Sequence, residues 1–338
     1  MAENKTKIDI FSGFLGAGKT TLIKKLIQEA FKGEKIVLIE NEFGEIGIDG
    51  GFMREAGIQV NELNSGCICC SLVGDFREAL KKVVETYHPD RILIEPSGVG
   101  KLSDVTRAVE GVAETLPVVL NSFVTVADVN KVKMYMKNFG EFYDDQVSHA
   151  SCIILSRTGN ASEEKIAAAV AMLAEKNPTA TIVTTDWTAL TGAQIVSVMD
   201  GKRDLVAELL AEAKASNEAH ADEDEHEHHH EHGEHCCCGH HHHHHDHDAD
   251  EIFTSWGKET AHKYSREDLD SALEKLDSCA YGMILRAKGI VDGGDTWYEF
   301  DMVPGEHEIR ACGPDVTGKL CVIGSDLKEH EIAELFHV

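Results

Sequence analysis

The sequence predicts an α/β domain with a mostly parallel sheet, followed by a small α+β domain at the C-terminal end of the chain. Short apolar runs alternate with segments of helical periodicity as far as residue 214, which is typical of a parallel sheet with helices on both faces. A glycine-rich segment, GFLGAGKTT (residues 13–21), lies between the first strand-like run and the first helical run. From residue 252 onward, strand-like runs follow one another with few helices between them, which predicts a mostly antiparallel sheet.

The glycine-rich segment has the spacing of a phosphate-binding loop, in which a glycine and four further residues precede Gly-Lys-Thr. Glycines let several backbone N–H groups point at one phosphate chain, at the positive end of the helix dipole. Lys19 is then expected to reach the β- and γ-phosphates, and the Thr20 hydroxyl to ligate Mg²⁺. The sequence therefore predicts a P-loop NTPase, with these nucleotide-binding residues in the loop: Gly13, Gly16, Ala17, Gly18, Lys19, Thr20 and Thr21.

Two later segments of the same domain are expected to complete the nucleotide site. The strand KIVLIE (35–40) is followed by NEFGEIGIDGG, a polar, glycine-containing loop in the position of a switch region. The strand RILIE (91–95) ends in Glu95, a carboxylate that is expected to hold Mg²⁺ through water. Three residues later, Gly98 would let a backbone N–H approach the γ-phosphate.

The remaining elements divide the chain into three parts. Residues 215–251 are of low complexity and cannot bury enough apolar surface to fold alone, so they separate the two domains as a linker. The expected parts are residues 1–214, 215–251 and 252–338. Further strands are predicted near 118–127, 151–155, 180–184, 253–257, 281–291, 296–303, 307–313 and 319–324, and helices near 71–87, 203–214, 265–276 and 327–336.

Composition excludes several classes of function. A net charge of −27 makes nucleic acid and anionic membranes unsuitable partners. No apolar run approaches the length of a membrane span and the first residues lack the core of a signal peptide, so we expect a cytoplasmic protein. In that compartment, ten cysteines are more typical of thiol ligands than of disulfides.

Three cysteines, Cys67, Cys69 and Cys70, form a C-x-C-C cluster. In an extended segment Cys67 and Cys69 point the same way, so both can bind one ion while Cys70 or a carboxylate completes a tetrahedron. Thiolates favour Zn²⁺, although Co²⁺ also accepts such ligands. The alternative is that these cysteines are small buried hydrophobes, as we expect for Cys152, Cys279, Cys312 and Cys321.

A second candidate metal site is the histidine-rich stretch within residues 220–251, which carries eleven Asp or Glu, no Lys or Arg and fourteen of the twenty histidines. An expression tag and a solvated linker are the alternatives to a metal-collecting arm. We favour the arm, because imidazole binds Zn²⁺, Ni²⁺, Cu²⁺ and Co²⁺ alike. Its candidate ligands are His226, His228, His229, His230, His232, His235, Cys236, Cys237, Cys238, His240, His241, His242, His243, His244, His245 and His247.

Four motifs in this order, GFLGAGKTT, ENEFGEIGID, LNSGCICC and LIEPSG, resemble those of the CobW-type P-loop GTPases, relatives of UreG and HypB, and residues 252–338 resemble the CobW C-terminal domain. The resemblance implies a GTP-driven metallochaperone that passes zinc, cobalt or iron to a client metalloprotein. It implies that Lys19, Thr20 and Thr21 hold the phosphates and Mg²⁺, and that Glu42 and Asp49 lie in the switch loop. It further implies that Glu95 and Gly98 sense the γ-phosphate and that the three clustered cysteines bind the metal. We name Lys19, Glu42 and Glu95 as the residues of hydrolysis, favour zinc over cobalt, and keep a homodimer as an open expectation.

One departure from the family pattern concerns the nucleotide base. Members usually carry N/T-K-x-D after the strand that corresponds to residues 151–155, and its Asp reads the guanine amino group. This chain has Ser156, Arg157, Thr158 and Gly159 there, so no carboxylate occupies the Asp position. Arg157 is still expected to stack over the base, and Asn160 is a weak substitute for the missing Asp. The choice between GTP and ATP therefore stays open at this point.

Two other functions remain as alternatives. The first is a metal buffer with weak or vestigial hydrolysis, which the altered base-reading segment and the long histidine arm favour a little. The second is an ATP-dependent small-molecule kinase with the same phosphate loop, a reaction that has no use for the cysteine cluster.

Overall fold

The computed structural model describes residues 5–40, 59–62, 73–201 and 254–338. The chain forms two compact units, Met1–Lys202 and Arg203–Val338, each of which is described here by itself. Several predictions fall outside the described residues: the switch residues Glu42 and Asp49, the cluster Cys67, Cys69 and Cys70, the helix at 203–214 and the whole histidine-rich stretch with its ligands between His226 and His247.

The first unit contains a seven-stranded sheet. Its strands are β1 (Thr6–Ser12), β2 (Ile36–Glu40), β3 (Gln59–Glu62), β4 (Arg91–Glu95), β5 (Val118–Asp128), β6 (Cys152–Ser156) and β7 (Thr181–Val183). They lie in the order β3-β2-β4-β1-β5-β6-β7, with β1 in the centre between β4 and β5. Every strand pairing described in this sheet is parallel, as the alternation of strands and helices predicts.

Helices connect these strands. The first shows why they form: α1 buries Leu22, Ile23, Leu26 and Ile27, spaced at three and four residues, against the sheet side of the unit. The described helices of this unit are α1 (Lys19–Glu29), α2 (Val73–Tyr87), α3 (Leu102–Ala113), α4 (Val132–Asn138), α5 (Gly140–Ser148), α6 (Glu163–Lys176) and α7 (Gly192–Met199).

A buried polar network crosses the middle of this sheet. Asp9 of β1 is fully buried, and its carboxylate accepts hydrogen bonds from Asn121 Nδ2 at 2.8 Å and Ser122 Oγ at 2.6 Å. Arg91, the first residue of β4, forms an ion pair with Asp9, and its Nε donates to Glu34 Oε2 at 2.7 Å. Because a buried carboxylate is costly unless it is paired, these contacts hold β1, β4 and β5 in one register.

The described elements of the second unit are β8 (Thr254–Thr260), α8 (Arg266–Leu276), β9 (Met283–Asp292), β10 (Trp297–Val303), β11 (Glu306–Cys312), β12 (Gly318–Ser325) and α9 (Glu329–Leu335). The strands form a five-stranded sheet in the order β11-β10-β9-β12-β8, and all four of its described strand pairings are antiparallel. Apolar residues of β9, β10 and β12 pack with those of α8 and α9 in one core. The predicted α+β fold is thus confirmed in the described part of this unit.

The cysteines expected to be buried hydrophobes behave in two ways. Cys152 and Cys321 are buried, and burial raises the pKa of the Cys321 thiol to about 11. Cys312 is only partly buried, because it lies at the end of an edge strand, so the expectation is wrong for this residue. Cys279 lies in a 3₁₀ turn, and its side chain is outside what the structure describes.

No helix among the described residues is both long and apolar enough to cross a membrane.

Candidate nucleotide site

The loop between β1 and α1 has the backbone that phosphate binding needs. Gly13, Gly16 and Gly18 all have positive φ angles, of 136°, 69° and 106°, which only glycine adopts readily. At Gly13 a Cβ atom would lie 2.3 Å from the carbonyl oxygen of Val126, so the loop passes directly against β5. Ala17 is buried and Thr21 is exposed in the first turn of α1. The loop therefore wraps around the N-terminus of α1, where backbone N–H groups lack partners within the helix.

Lys19 lies across the mouth of this loop. The side chain is almost fully buried, and Nζ donates to the carbonyl oxygens of Gly13 at 3.0 Å and Phe14 at 3.5 Å. The ammonium group is 3.9 Å from Glu95 Oε1, so it has both carbonyl and carboxylate partners in place. A fixed cation at the concave side of the loop is the group that would neutralise the terminal phosphates.

Thr20 and Glu95 meet beside Lys19. The Thr20 hydroxyl is 3.1 Å from both carboxylate oxygens of Glu95, which ends β4 and whose side chain is 14% exposed. A hydroxyl and a carboxylate are oxygen ligands of the kind that Mg²⁺ prefers. These two residues could therefore hold the magnesium ion of a bound nucleotide.

Gly98 contacts the phosphate loop directly. A Cβ atom on this glycine would lie 2.8 Å from the backbone nitrogen of Leu15, so any side chain would push the two loops apart. The segment is held from behind by Gln146 of α5, whose Nε2 donates to the carbonyl oxygens of Gly98 at 3.1 Å and Gly100 at 2.9 Å. Gln146 is completely buried. The structure thus places Gly98 beside the phosphate loop, and Gln146 is a support that the sequence analysis missed.

The segment after β6 makes contacts that the sequence does not predict. Ser156 is the last residue of β6 and is buried, and its hydroxyl points to the carbonyl oxygen of Ala127 at 3.5 Å. Arg157 has a left-handed backbone, with φ of 62°. Its guanidinium forms an ion pair with Asp128 at the end of β5 and donates to the carbonyl oxygen of Gly16 at 2.8 Å. The arginine is therefore bound to the phosphate loop itself.

The loop after β7 also reaches the phosphate loop. Trp187 is largely buried, and its ring lies 3.0 Å from the position that a Cβ atom on Gly18 would take. The neighbouring Asp186 accepts a hydrogen bond from the backbone N–H of Gly159 at 3.1 Å. Asn160, the substitute considered for the missing aspartate, is exposed. Sequence reasoning missed Asp128, Asp186 and Trp187, because only the β5-β6-β7 pairing brings them to one edge.

The predicted metal-cargo site is not described by the structure. In residues 5–40, 59–62, 73–201 and 254–338, no group of three or more His, Cys, Asp or Glu side chains is arranged to hold a metal ion. The candidate thiols and imidazoles all lie outside these ranges.

Comparison with known proteins finds similar sequences over about half of the chain. The chain is 32% identical over 184 residues to the zinc chaperone CobW of Sinorhizobium sp., covering 46% of this chain and 52% of that protein. It is 30% identical over 188 residues to the zinc chaperone YjiA of Escherichia coli (strain K12), covering 53% and 58%. It is 28% identical over 190 residues to zinc-regulated GTPase metalloprotein activator 1 of Schizosaccharomyces pombe, covering 53% and 46%. The chain spans about half the length of the curated relatives it matches.

Among solved structures, the comparison finds Zn(II)-bound YjiA GTPase from E. coli, with a TM-score of 0.41 and 20% identity over 98% of both chains. HypB from Helicobacter pylori in complex with nickel has the same TM-score and 17% identity, over 64% of this chain and 90% of that one.

Two family models match the chain. The CobW/HypB/UreG nucleotide-binding domain matches residues 7–184, more than half of the 338 residues, and the C-terminal domain of the cobalamin synthesis protein CobW matches residues 253–338. The first match contains the phosphate loop, Glu95 and Gly98, and the second contains the antiparallel unit. This chain therefore belongs to the CobW/HypB/UreG family of P-loop proteins.

Proposed function

We propose that this protein is a GTP-hydrolysing metallochaperone that binds a transition metal ion, with zinc favoured over cobalt, and delivers it to a client metalloprotein. The observation that carries the proposal is the convergence of Lys19, Thr20 and Glu95 at a loop whose three glycines have left-handed backbones. That convergence supports triphosphate binding and hydrolysis. The relatives named zinc chaperones support the choice of cargo.

The phosphate chemistry in this proposal needs little more than positioning and charge neutralisation. Lys19 and the loop N–H groups would hold the β- and γ-phosphates, and Thr20 and Glu95 would hold Mg²⁺, which would supply positive charge to the phosphate oxygens. Gly98, which lies against Leu15 of the loop, would bring its backbone next to the terminal phosphate. Glu42 of the switch loop is our candidate for orienting the attacking water, and Asp49 lies in the same loop.

The metal chemistry rests on the cysteine cluster Cys67, Cys69 and Cys70, since soft thiolates select Zn²⁺ from the ions that imidazole binds indiscriminately. In this proposal the histidine-rich stretch (226–247) collects ions and raises their local concentration. GTP closes the switch loop around the cysteine cluster, and hydrolysis opens it. Because metal and nucleotide then bias one equilibrium, each is expected to strengthen binding of the other by the same factor.

A metal buffer with a vestigial nucleotide site is the second candidate, and the long histidine-rich stretch is the feature that favours it. The assembled Lys19, Thr20 and Glu95 argue against a vestigial site. An ATP-dependent small-molecule kinase would use the same three residues but gives no role to the cysteine cluster. In our proposal the protein acts in the cytoplasm, with neither nucleic acid nor membrane as a partner. If the protein forms an oligomer, we expect a homodimer.

The test is a nucleotide-resolved metal titration of the full chain and of a variant without residues 220–248. Zn²⁺ and Co²⁺ are each added with a competing chelator, in the presence of Mg²⁺ and a GTP analogue, GDP, an ATP analogue or no nucleotide. We expect one tight site in the shortened variant that strengthens only with the GTP analogue. If the metal affinity is the same with every nucleotide and without one, this proposal is wrong and the metal buffer is the better explanation.

Two further measurements test the role of the cysteine cluster and the type of reaction. Cys67→Ala with Cys69→Ala should abolish the tight site and leave nucleotide binding intact, while Cys312→Ala, a partly buried thiol of the second unit, should change neither. Phosphate release with Mg²⁺ alone and with added Zn²⁺ or Co²⁺ separates the three functions. Transfer of phosphate to a metabolite in place of water would favour the kinase.

A further inference from the structure

Gly159 stands at the position where the family pattern has a base-reading aspartate, and the structure puts another carboxylate beside it. Asp186 Oδ2 accepts a hydrogen bond from the Gly159 N–H at 3.1 Å. A Cβ atom built on Gly159 would lie 2.5 Å from that same oxygen. In an aspartate, each carboxylate oxygen lies about 2.4 Å from its own Cβ by standard covalent geometry. Asp186 therefore places a carboxylate oxygen as far from this Cβ as an aspartate at residue 159 would.

The same contact depends on residue 159 being a glycine. At 2.5 Å a real Cβ atom and the Asp186 oxygen would overlap, so a side chain at 159 would displace the carboxylate from this place. Gly159 has no positive φ angle, so its backbone does not itself require glycine. The glycine leaves room for the neighbouring carboxylate.

This carboxylate lies on the side of the phosphate loop where the nucleoside belongs. Glu95 and Gly98, which we assign to the terminal phosphate, lie at the end of β4 on one side of β1. The opposite side is formed by β5, β6 and β7. Arg157 contacts Gly16 from that side and Trp187 contacts Gly18, so the residues flanking Gly159 and Asp186 touch the loop itself.

The Asp186 carboxylate is charged and has acceptor capacity to spare. Burial acts to raise its pKa, but hydrogen bonds from Thr188 and Gly159 outweigh it and hold the pKa below the usual range. Oδ1 accepts from the Thr188 N–H at 2.9 Å and hydroxyl at 2.7 Å, and Oδ2 accepts from Gly159. An ionised carboxylate can accept about four hydrogen bonds. Among the contacts made by the described residues, one acceptor position on Oδ2 is thus left. Thr188 is exposed, so its hydroxyl can turn to water and release a second position on Oδ1.

Guanine is the base that matches such a carboxylate. Its N1–H and exocyclic N2–H₂ present two adjacent donors, which two oxygens of one carboxylate can accept together. Adenine presents an N6–H₂ donor next to the N1 acceptor, and an acceptor facing a carboxylate is repelled. A carboxylate in this position therefore selects guanine over adenine.

We propose that Asp186 is the guanine-specificity residue of this protein, supplying from the loop after β7 the carboxylate that Gly159 lacks. The proposal rests on the proposed function in one respect, that a nucleotide binds at the phosphate loop. A purely structural role, in which Asp186 only closes the turn to Thr188, is the competing explanation.

The experiment measures competition of GDP, ADP and xanthosine diphosphate against a fluorescent GDP analogue, on the full chain with Mg²⁺. The wild type should bind GDP at least about 100-fold more tightly than ADP. Asp186→Ala should weaken GDP binding about 10- to 100-fold and leave ADP binding within about threefold, since a charge-assisted pair is lost only for guanine. Thr188→Ala is the matched control for the turn: it removes one donor to Oδ1 and keeps the carboxylate, so the preference for GDP over ADP should be retained.

Two variants keep the test independent of folding. Asp186→Asn replaces one acceptor oxygen by an N–H₂ donor, which matches the 2-oxo group of xanthine, so it should bind xanthosine diphosphate more tightly than GDP. Gly159→Asp combined with Asp186→Ala restores the usual arrangement and should recover the preference for GDP. Neither gain can result from a damaged fold.

The outcomes separate the two proposals. Equal losses of GDP and ADP binding in Asp186→Ala, with no gain of xanthosine diphosphate binding in Asp186→Asn, would overturn the specificity role and leave the structural one. A wild type that binds GDP and ADP equally would also overturn it, while nucleotide binding itself stood. A wild type that binds no nucleotide would reject the proposed function, and this inference with it.

Discussion

On the β4 side of the phosphate loop, the polar groups come from one continuous segment and one strand end, whereas on the β6 side they are assembled from separate loops. Lys19 and Thr20 are neighbours in sequence and meet Glu95 at the end of an adjacent strand. Gly159 and Asp186 are 27 residues apart and follow different strands. Phosphate binding depends on several consecutive backbone N–H groups, which cannot be divided among loops. A base-reading carboxylate is a single side chain, and any loop that reaches the place can provide it.

Lys19→Ala should have the largest effect, because it removes the cation on which the phosphate side is centred. We expect hydrolysis to fall about 10²- to 10³-fold, the usual loss for one preorganised charge-stabilising group. The ratio of GTP to ATP affinity should not change, since Asp186, the residue that we propose reads the base, is untouched. Phosphate release and nucleotide competition measure the two quantities. Lys25→Ala, which removes an exposed helical ion pair with Glu29, is the matched control and should leave hydrolysis unchanged.

Gly98→Ala should come next, because its Cβ would lie 2.8 Å from the Leu15 nitrogen and must displace one of the two loops. We expect hydrolysis to fall about 10-fold, equivalent to about 1.4 kcal/mol in the barrier. GDP binding should change little, since Gly98 is assigned to the terminal phosphate. Gly140→Ala is the control: its Cβ would meet nothing closer than 3.9 Å. If GDP and GTP binding weaken together, Gly98 supports the whole loop and not the terminal phosphate.

Trp187→Phe tests whether the loop after β7, which carries Asp186 and Trp187, also supports the phosphate loop. The smaller ring loses its contact with Gly18, so nucleotide affinity should fall about threefold, within the range of a tolerated core substitution. The loss should be the same for GTP and ATP, in contrast to Asp186→Ala. Competition binding of both nucleotides gives the answer. A change in the GTP to ATP ratio would mean that the tryptophan takes part in reading the base.

The smallest effect expected is that of pH on guanine preference. The folded pKa of Asp186 lies below its ordinary value of 3.8, so the carboxylate stays ionised between pH 5 and 8 and the preference should be constant there. The contribution of this group to stability is likewise present above 3.8 and is lost only as pH falls through the lower folded pKa. Competition binding at several pH values measures the preference. A marked decline at pH 6 would point to another titrating group.

Much of the fold could be predicted from the sequence, because its signals are local. The phosphate loop is specified by the spacing of Gly13, Gly18 and Lys19, and the strands by short apolar runs. β3 (Gln59–Glu62) was missed, since QVNE is too short and polar to show a strand pattern. Its position is decided by parallel pairing with β2, which only the folded sheet provides.

The contacts around Gly159 and Asp186 could not be predicted either, because they also depend on strand pairing that only the folded sheet provides. The sequence shows that residue 159 lacks a carboxylate, but the proximity of Asp186 depends on the pairing of β6 with β7 and on the path of two loops. Arg157 was expected to stack on the base, and the structure gives its guanidinium partners at Asp128 and Gly16. The left-handed backbone of Arg157, which directs that side chain, leaves no mark in the sequence.

The ion pair between Arg91 and Asp9 has a consequence far from where it lies. Arg91 begins β4 and Glu95 ends it, so an anchor at one end of the strand sets the reach of the other, roughly 13 Å away. A slip of one residue would carry Glu95 past Thr20 by about 3.3 Å and turn its side chain to the opposite face. The buried ion pair of Asp9 and Arg91 thus fixes the position of Glu95 along the sheet. If Thr20 and Glu95 hold one ion in common, as we propose, that position matters to within a few tenths of an ångström.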